Sequence, residues 1–203
     1  MTDRAKELEA AAKDINPVSL QAAKDAIVVN CREYLRWADL FSRRLETIKP
    51  EELHKFVRAF SLTLLGHLPT RPSTCPFCIQ YDRDRACTGC GYAATHGRCD
   101  ADDSAFSLFI EAFQELGRVI YQDTEGVSAD SVLAERRLCY TLRVSTGRTM
   151  RMMEEIKECS ALQLMDKKAR YIGEMIGLLP CDLLCSEVEE RMHMVNDMLK
   201  NYW

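Results

Sequence analysis

Five of the ten cysteines in this chain fall within 25 residues: Cys75, Cys78, Cys87, Cys90 and Cys99, with His96 ahead of the last. The intervals between successive members of this set are two, eight, two, five and two residues. A Cys-x-x-Cys turn lets two thiolates aim at one ion, and two such turns supply four sulfurs at tetrahedral corners. Thiolates are soft donors, so the set selects zinc or iron–sulfur over magnesium or calcium. Zn2+ is the first expectation. A [4Fe–4S] cluster is the alternative, because Cys75, Cys78 and Cys99 with either Cys87 or Cys90 would hold it and leave one thiol over. His96 reads either as a ligand replacing one thiolate or as a hydrogen-bonding neighbour of the site. The segment is polar and rich in Gly and Pro, and metal binding would supply the order that its own side chains do not. Without a metal, clustered exposed thiols would be open to oxidation.

Cys75-Pro76-Phe77-Cys78 and Cys87-Thr88-Gly89-Cys90-Gly91-Tyr92 resemble the two knuckles of zinc ribbons and rubredoxin-like sites. The resemblance covers about 18 of the 203 residues. It implies a thiolate-held metal and a glycine after the second knuckle that permits a tight backbone turn. The sequence departs from a ribbon in three ways. Only eight residues separate the knuckles, Ile79 stands where the first knuckle would carry glycine, and His96 and Cys99 are surplus.

Other residues are weaker candidates. Glu51-x-x-His54 and Glu190-x-x-His193 match the pairs that ferritin-like di-iron bundles use, with Glu33, Glu111 or Glu115 to complete a site. Yet Glu51 opens a predicted helix, where the helix dipole alone favours a carboxylate. Cys181 and Cys185 are four residues apart, which puts both thiols on one helix face. They read first as small buried apolar residues, and second as a redox pair or extra ligands. Cys31, Cys139 and Cys159 read as core. Arg136, Arg137, Arg143, Arg148, Arg151, Lys167, Lys168 and Arg170 make residues 130–170 locally basic, with nine Lys and Arg against six Asp and Glu. A solvated helix face is the expected reading, and a modest nucleic-acid patch the weaker one. The net charge of −4 puts an electrostatic nucleic-acid binder at a disadvantage. No nucleotide-binding glycine loop or nucleophile elbow is present, and the four histidines are scattered. The expectation leans away from an enzyme. It favours a structural or partner-binding protein that offers Phe77, Tyr81 and Tyr92 to another protein.

These residues must be held by helices. Apolar residues make up 47% of the chain and charged ones 29%, which excludes a disordered or collagen-like class. No apolar run approaches the ~18–20 residues that span a bilayer. The opening residues lack the apolar core of a signal peptide, so a cytoplasmic location is expected. Stripes at three- and four-residue steps predict helices over about 2–14, 19–48 and 50–66, from after Asp103 or Ser104 to about 121, over 130–158 with an interruption near Gly147, over 160–178, and from Asp182 or Ser186 to about 200. Pro17 is read as a break, with Ser19 as the following cap. Pro69, Pro72 and Pro76 keep one helix from running through 67–102. The fold class is therefore all-α. A bundle of five to seven helices carries a Cys-rich metal-binding insertion, 67–102, between the third and fourth, with any β structure confined to a small hairpin there. Residues 1–66 and 103–203 are expected to pack together as one domain.

If metal orders the insertion, Cys78→Ser or Cys90→Ser opens residues 67–102 to protease while the flanking helices survive. Unchanged protease resistance of that segment would count against metal-dependent order.

Overall fold

A computed structural model of the protein describes residues 3–81, 87–124 and 131–202. Among them the regular structure is helical throughout, with no strand. In chain order the helices are α1 (Asp3–Lys13), α2 (Pro17–Leu45), α3 (Leu53–Gly66), α4 (Pro76–Tyr81), α5 (Gly91–His96), α6 (Ala105–Gln122), α7 (Ser131–Glu155), α8 (Ala161–Ile176) and α9 (Ser186–Tyr202). The seven outside 67–102 make the expected bundle. The other two replace the expected hairpin. Pro76 occupies the first position of α4, where its fixed φ suits a helix and its missing N–H is no loss. Cys90 stands just before α5. The link 82–86 between the two knuckles lies outside the described residues.

Local chemistry sets the other boundaries. Pro17 starts α2 rather than breaking the chain. The cap is Asn16, whose side chain accepts from the Ser19 amide at 2.8 Å. Ser104 caps α6, and Ser160 with Gln163 forms a capping box on α8. Gly147 does not interrupt α7.

Two antiparallel pairs frame the bundle. Lys24 Nζ donates to the Lys157 carbonyl and Tyr34 Oη to Ser145 Oγ, so α2 and α7 run in opposite directions. At one end of α9 the Cys185 amide donates to Asp123, just beyond α6. At the other end Tyr202 stacks on Phe109, with ring centroids 5.2 Å apart.

The cysteine segment is part of this core and not a loop hung from it. Leu68, Cys75, Phe77, Cys90 and Tyr92 belong to the same buried apolar cluster as the long helices. Phe77 is 0% exposed and Tyr92 2%, while Tyr81 is half-buried. Phe77 and Tyr92 are therefore not available as partner contacts. They fill the space between the segment and the bundle, and burying such a ring contributes about 1.5–3 kcal/mol. Gln80 of α4 ties the segment to the α1–α2 corner. Its Oε1 accepts from Asn16 N and Nδ2, and its Nε2 donates to the Asp14 carbonyl.

Helix α1, although thin in apolar residues, is held by burial of Leu8 and Ala12. It lies so close to α5 that a Cβ on Gly91 would fall 1.8 Å from Ala11 Cβ. The glycine after the second knuckle thus serves a helix–helix contact. Among the described residues the left-handed backbone positions are instead Gly89, Gly97 and Cys87. Gly91→Ala is expected to push α1 off α5 and destabilise the protein by roughly 1–3 kcal/mol. Thermal melting checks this, and Ala11→Gly should restore the lost stability in the double variant.

Candidate metal centre

Cys75 immediately precedes α4, and Cys90 immediately precedes α5. The first amides of a helix have no partner within it, so a sulfur there meets free N–H groups. Burial raises the Cys90 thiol, while the Ala93 and Tyr92 amides draw it down. The Cys78 thiol and burial push Cys75 well above its ordinary range, against Lys168 and the Cys78 amide.

The thiols form a chain. The Cys75 thiol interacts with that of Cys78, and Cys78 with Cys99. Cys75 lowers Cys78, but Cys99 and burial prevail and push it up to about 12. Cys75 also acts electrostatically on Cys90. Four of the six sequence candidates thus share one neighbourhood: Cys75, Cys78, Cys90 and Cys99. Cys87 lies one turn from them, because its carbonyl accepts from the Cys90 amide at 3.0 Å. Its φ of 51° is unusual for a residue with a Cβ and costs roughly 1–2 kcal/mol. His96 packs against Tyr92, with rings stacked at 4.5 Å, and its Nδ1 meets Thr95 Oγ1 at 2.7 Å.

All ten cysteines are free thiols. Among the described residues, no three His, Cys, Asp or Glu side chains already stand in ligating geometry. The cysteines are neighbours rather than a closed tetrahedron. Their donor chemistry and enclosure nevertheless suit a soft metal.

The enclosure comes from residues that the motif does not include. Tyr202, at the last turn of α9, accepts on its carbonyl from Tyr92 Oη at 2.7 Å. Lys168 of α8 is 1% exposed, with Nζ 5.7 Å from the Tyr202 ring centroid. Burial pulls its ammonium down, while Cys75, Cys78 and Cys99 draw it up. In the sequence it passes for part of a solvated basic face. The readable signal was its place in the buried stripe of α8, between Met165 and Ile172.

The remaining candidates go elsewhere. Cys185 lies at the far end of α9 from Tyr202, about 25 Å away at 1.5 Å per residue, and Cys181 Sγ meets Met192 Sδ at 3.7 Å. Neither can assist the cluster. His54 Nε2 meets buried Asp123 at 3.2 Å, while Glu51 and Glu190 are exposed, so the Glu-x-x-His pairs do not converge. Cys31 and Cys159 are buried as expected. Cys139 is exposed, one residue beyond Leu138 and thus turned off the buried stripe of α7. The basic region is divided. Arg137 pairs with Asp182, Arg148 with Glu174 and Lys167 with Glu155, while Lys168 is interior.

A second polar cluster lies inside the bundle. His67 Nε2 meets Tyr171 Oη at 2.8 Å, Tyr171 meets Thr149, and Tyr34 stacks on His67 at 4.0 Å. Burial pushes His67 down to about 4, against the Thr63 and Leu64 carbonyls.

No protein-family model, curated protein or solved structure matches the chain. What the fold shows is an all-helical, cysteine-rich protein. No helix among the described residues is long and apolar enough to cross a membrane.

His67 generates a pH prediction. It stays neutral when folded but binds a proton at its ordinary value of 6.5 when unfolded. The stability it confers is complete above about pH 6.5 and is lost as pH falls toward about 4, a change of order 3 kcal/mol. Urea unfolding across that window should show a steeper acid loss for the wild type than for His67→Phe. Equal slopes would rule this out.

Proposed function

We propose that this chain is a metal protein whose thiolate centre, held by Cys75, Cys78, Cys90 and Cys99, fastens the cysteine segment into the helical bundle. Zn2+ is the metal favoured, and the role is structural. The observation that carries the reading is that Cys75, Cys78 and Cys99 lie near enough to one another and to buried Lys168 to act on it electrostatically. Four protein ligands would leave zinc no open position, so the site would do no Lewis-acid chemistry. Its place among α4, α5, α8 and the end of α9 suits a fastening. Cys87 and His96 then stand beside the centre rather than in it. Ten free thiols fit a reducing compartment, in keeping with a cytoplasmic location. A protein partner would meet exposed apolar side chains such as Trp37 and Leu40 of α2 and Tyr140 of α7, not the cysteine segment.

A [4Fe–4S] cluster that moves electrons or senses redox state is the second reading. It is favoured by the burial of Cys75 and Cys90, and by the fifth cysteine nearby. Nucleic-acid binding has less support, because Arg137, Arg148 and Lys167 are in ion pairs and Lys168 is interior, which leaves Arg136, Arg143, Arg151 and Arg170 of that set exposed.

Oxygen-free purification followed by zinc, iron and sulfide analysis tests the proposal. About one zinc per chain without visible colour is expected, falling by half or more in Cys75→Ser and Cys99→Ser. Iron with sulfide and a broad visible band would replace zinc with the cluster. A chain that holds neither overturns both.

A further inference from the structure

Lys168 is buried, and among the described residues no carboxylate pairs with it. Its Nζ lies 5.7 Å from the centroid of the Tyr202 ring, and Cys75, Cys78 and Cys99 are near enough to act on it electrostatically. The ring offers a cation–π contact, which is weaker than an ion pair. Neutral thiols do not offset the loss of hydration that burying an ammonium entails. A negatively charged centre at the same cysteines would. Zn2+ with four thiolates is a dianion, and so is a [4Fe–4S]2+ cluster with four thiolates.

We infer that Lys168 is the resident counter-charge of the thiolate centre, a positioning residue that binds no metal but stabilises the anionic ligand set and slows metal loss. The inference rests on the proposed metal site. It explains two features together: a lysine in the apolar stripe of α8, and the enclosure of the cysteines by aromatic rings that carry no charge of their own. A filler role, in which only the lysine stem matters, would give the same burial without a link to the metal.

Three proteins separate these readings: wild type, Lys168→Met, which keeps the length and removes the charge, and Lys168→Arg, which keeps the charge. Zinc content comes first, because a wild type without metal overturns the metal reading itself. With metal present, transfer to a chelator is timed, and the thiolate-to-metal charge-transfer band is recorded on cobalt(II)-substituted protein. Lys168→Met is expected to release metal about 10–100-fold faster, with the band moved to lower energy as the sulfur electrons lose a nearby positive charge. Lys168→Arg returns both toward wild type. Lys168→Gln repeats the test should the methionine variant misfold. Wild-type release and an unmoved band in the neutral variants overturn the counter-charge, and so does faster release with an unmoved band, which marks a packing defect.

Discussion

Lys168 and the thiols around it constrain the rest of the molecule. A buried ammonium is costly unless negative charge answers it or the amine gives up its proton, and the thiols of Cys75, Cys78 and Cys99 are the groups that act on Lys168. These cysteines come near α8 because α4 and α5 pack inward. Phe77 and Tyr92 do that packing. Tyr92 fixes the end of α9 through the Tyr202 carbonyl, and Gln80 fixes the α1–α2 corner. Each contact belongs to a different helix, yet all serve to hold a polar, glycine-rich segment inside an apolar bundle.

The long helices were legible in the sequence because their apolar stripes are regular and their ends carry ordinary signals, such as Ser104 and Ser160. The start of α2 was misread because Pro17 and Ser19 each suit more than one role near a helix start, and Asn16 was the better placed oxygen. The cysteine segment was legible as chemistry but not as structure. Knuckle spacing points to thiols that converge, but it does not distinguish a hairpin from two short helices. Lys168 and Tyr202 were hidden for another reason: each joins the site through tertiary packing across a large sequence separation. Lysine is so often a surface residue that only its register against Leu164, Met165 and Tyr171 betrays it.

The two polar places in this fold are different in kind. The His67–Tyr171–Thr149 chain joins neutral groups and braces α3 against α7 and α8, with the buried Nδ1 of His67 left short of a full hydrogen bond. The Cys78 thiol and burial raise Cys75, and Cys99 and burial raise Cys78, so without a metal these two favour their protonated forms. A metal ion would displace those protons, and the same low-polarity surroundings that disfavour a lone thiolate would then strengthen its attraction to a cation.

Tyr92 and Tyr202, joined by one hydrogen bond, stand 110 residues apart in the chain. During synthesis the thiols emerge well before the helix that covers them, and before the lysine that faces them. If these cysteines hold a metal, the growing chain would offer them to it as an open chelating loop. After α9 docks, the ion would be reached only from the side where Cys78 and Cys99 stay partly exposed, so loading and exchange would use different routes.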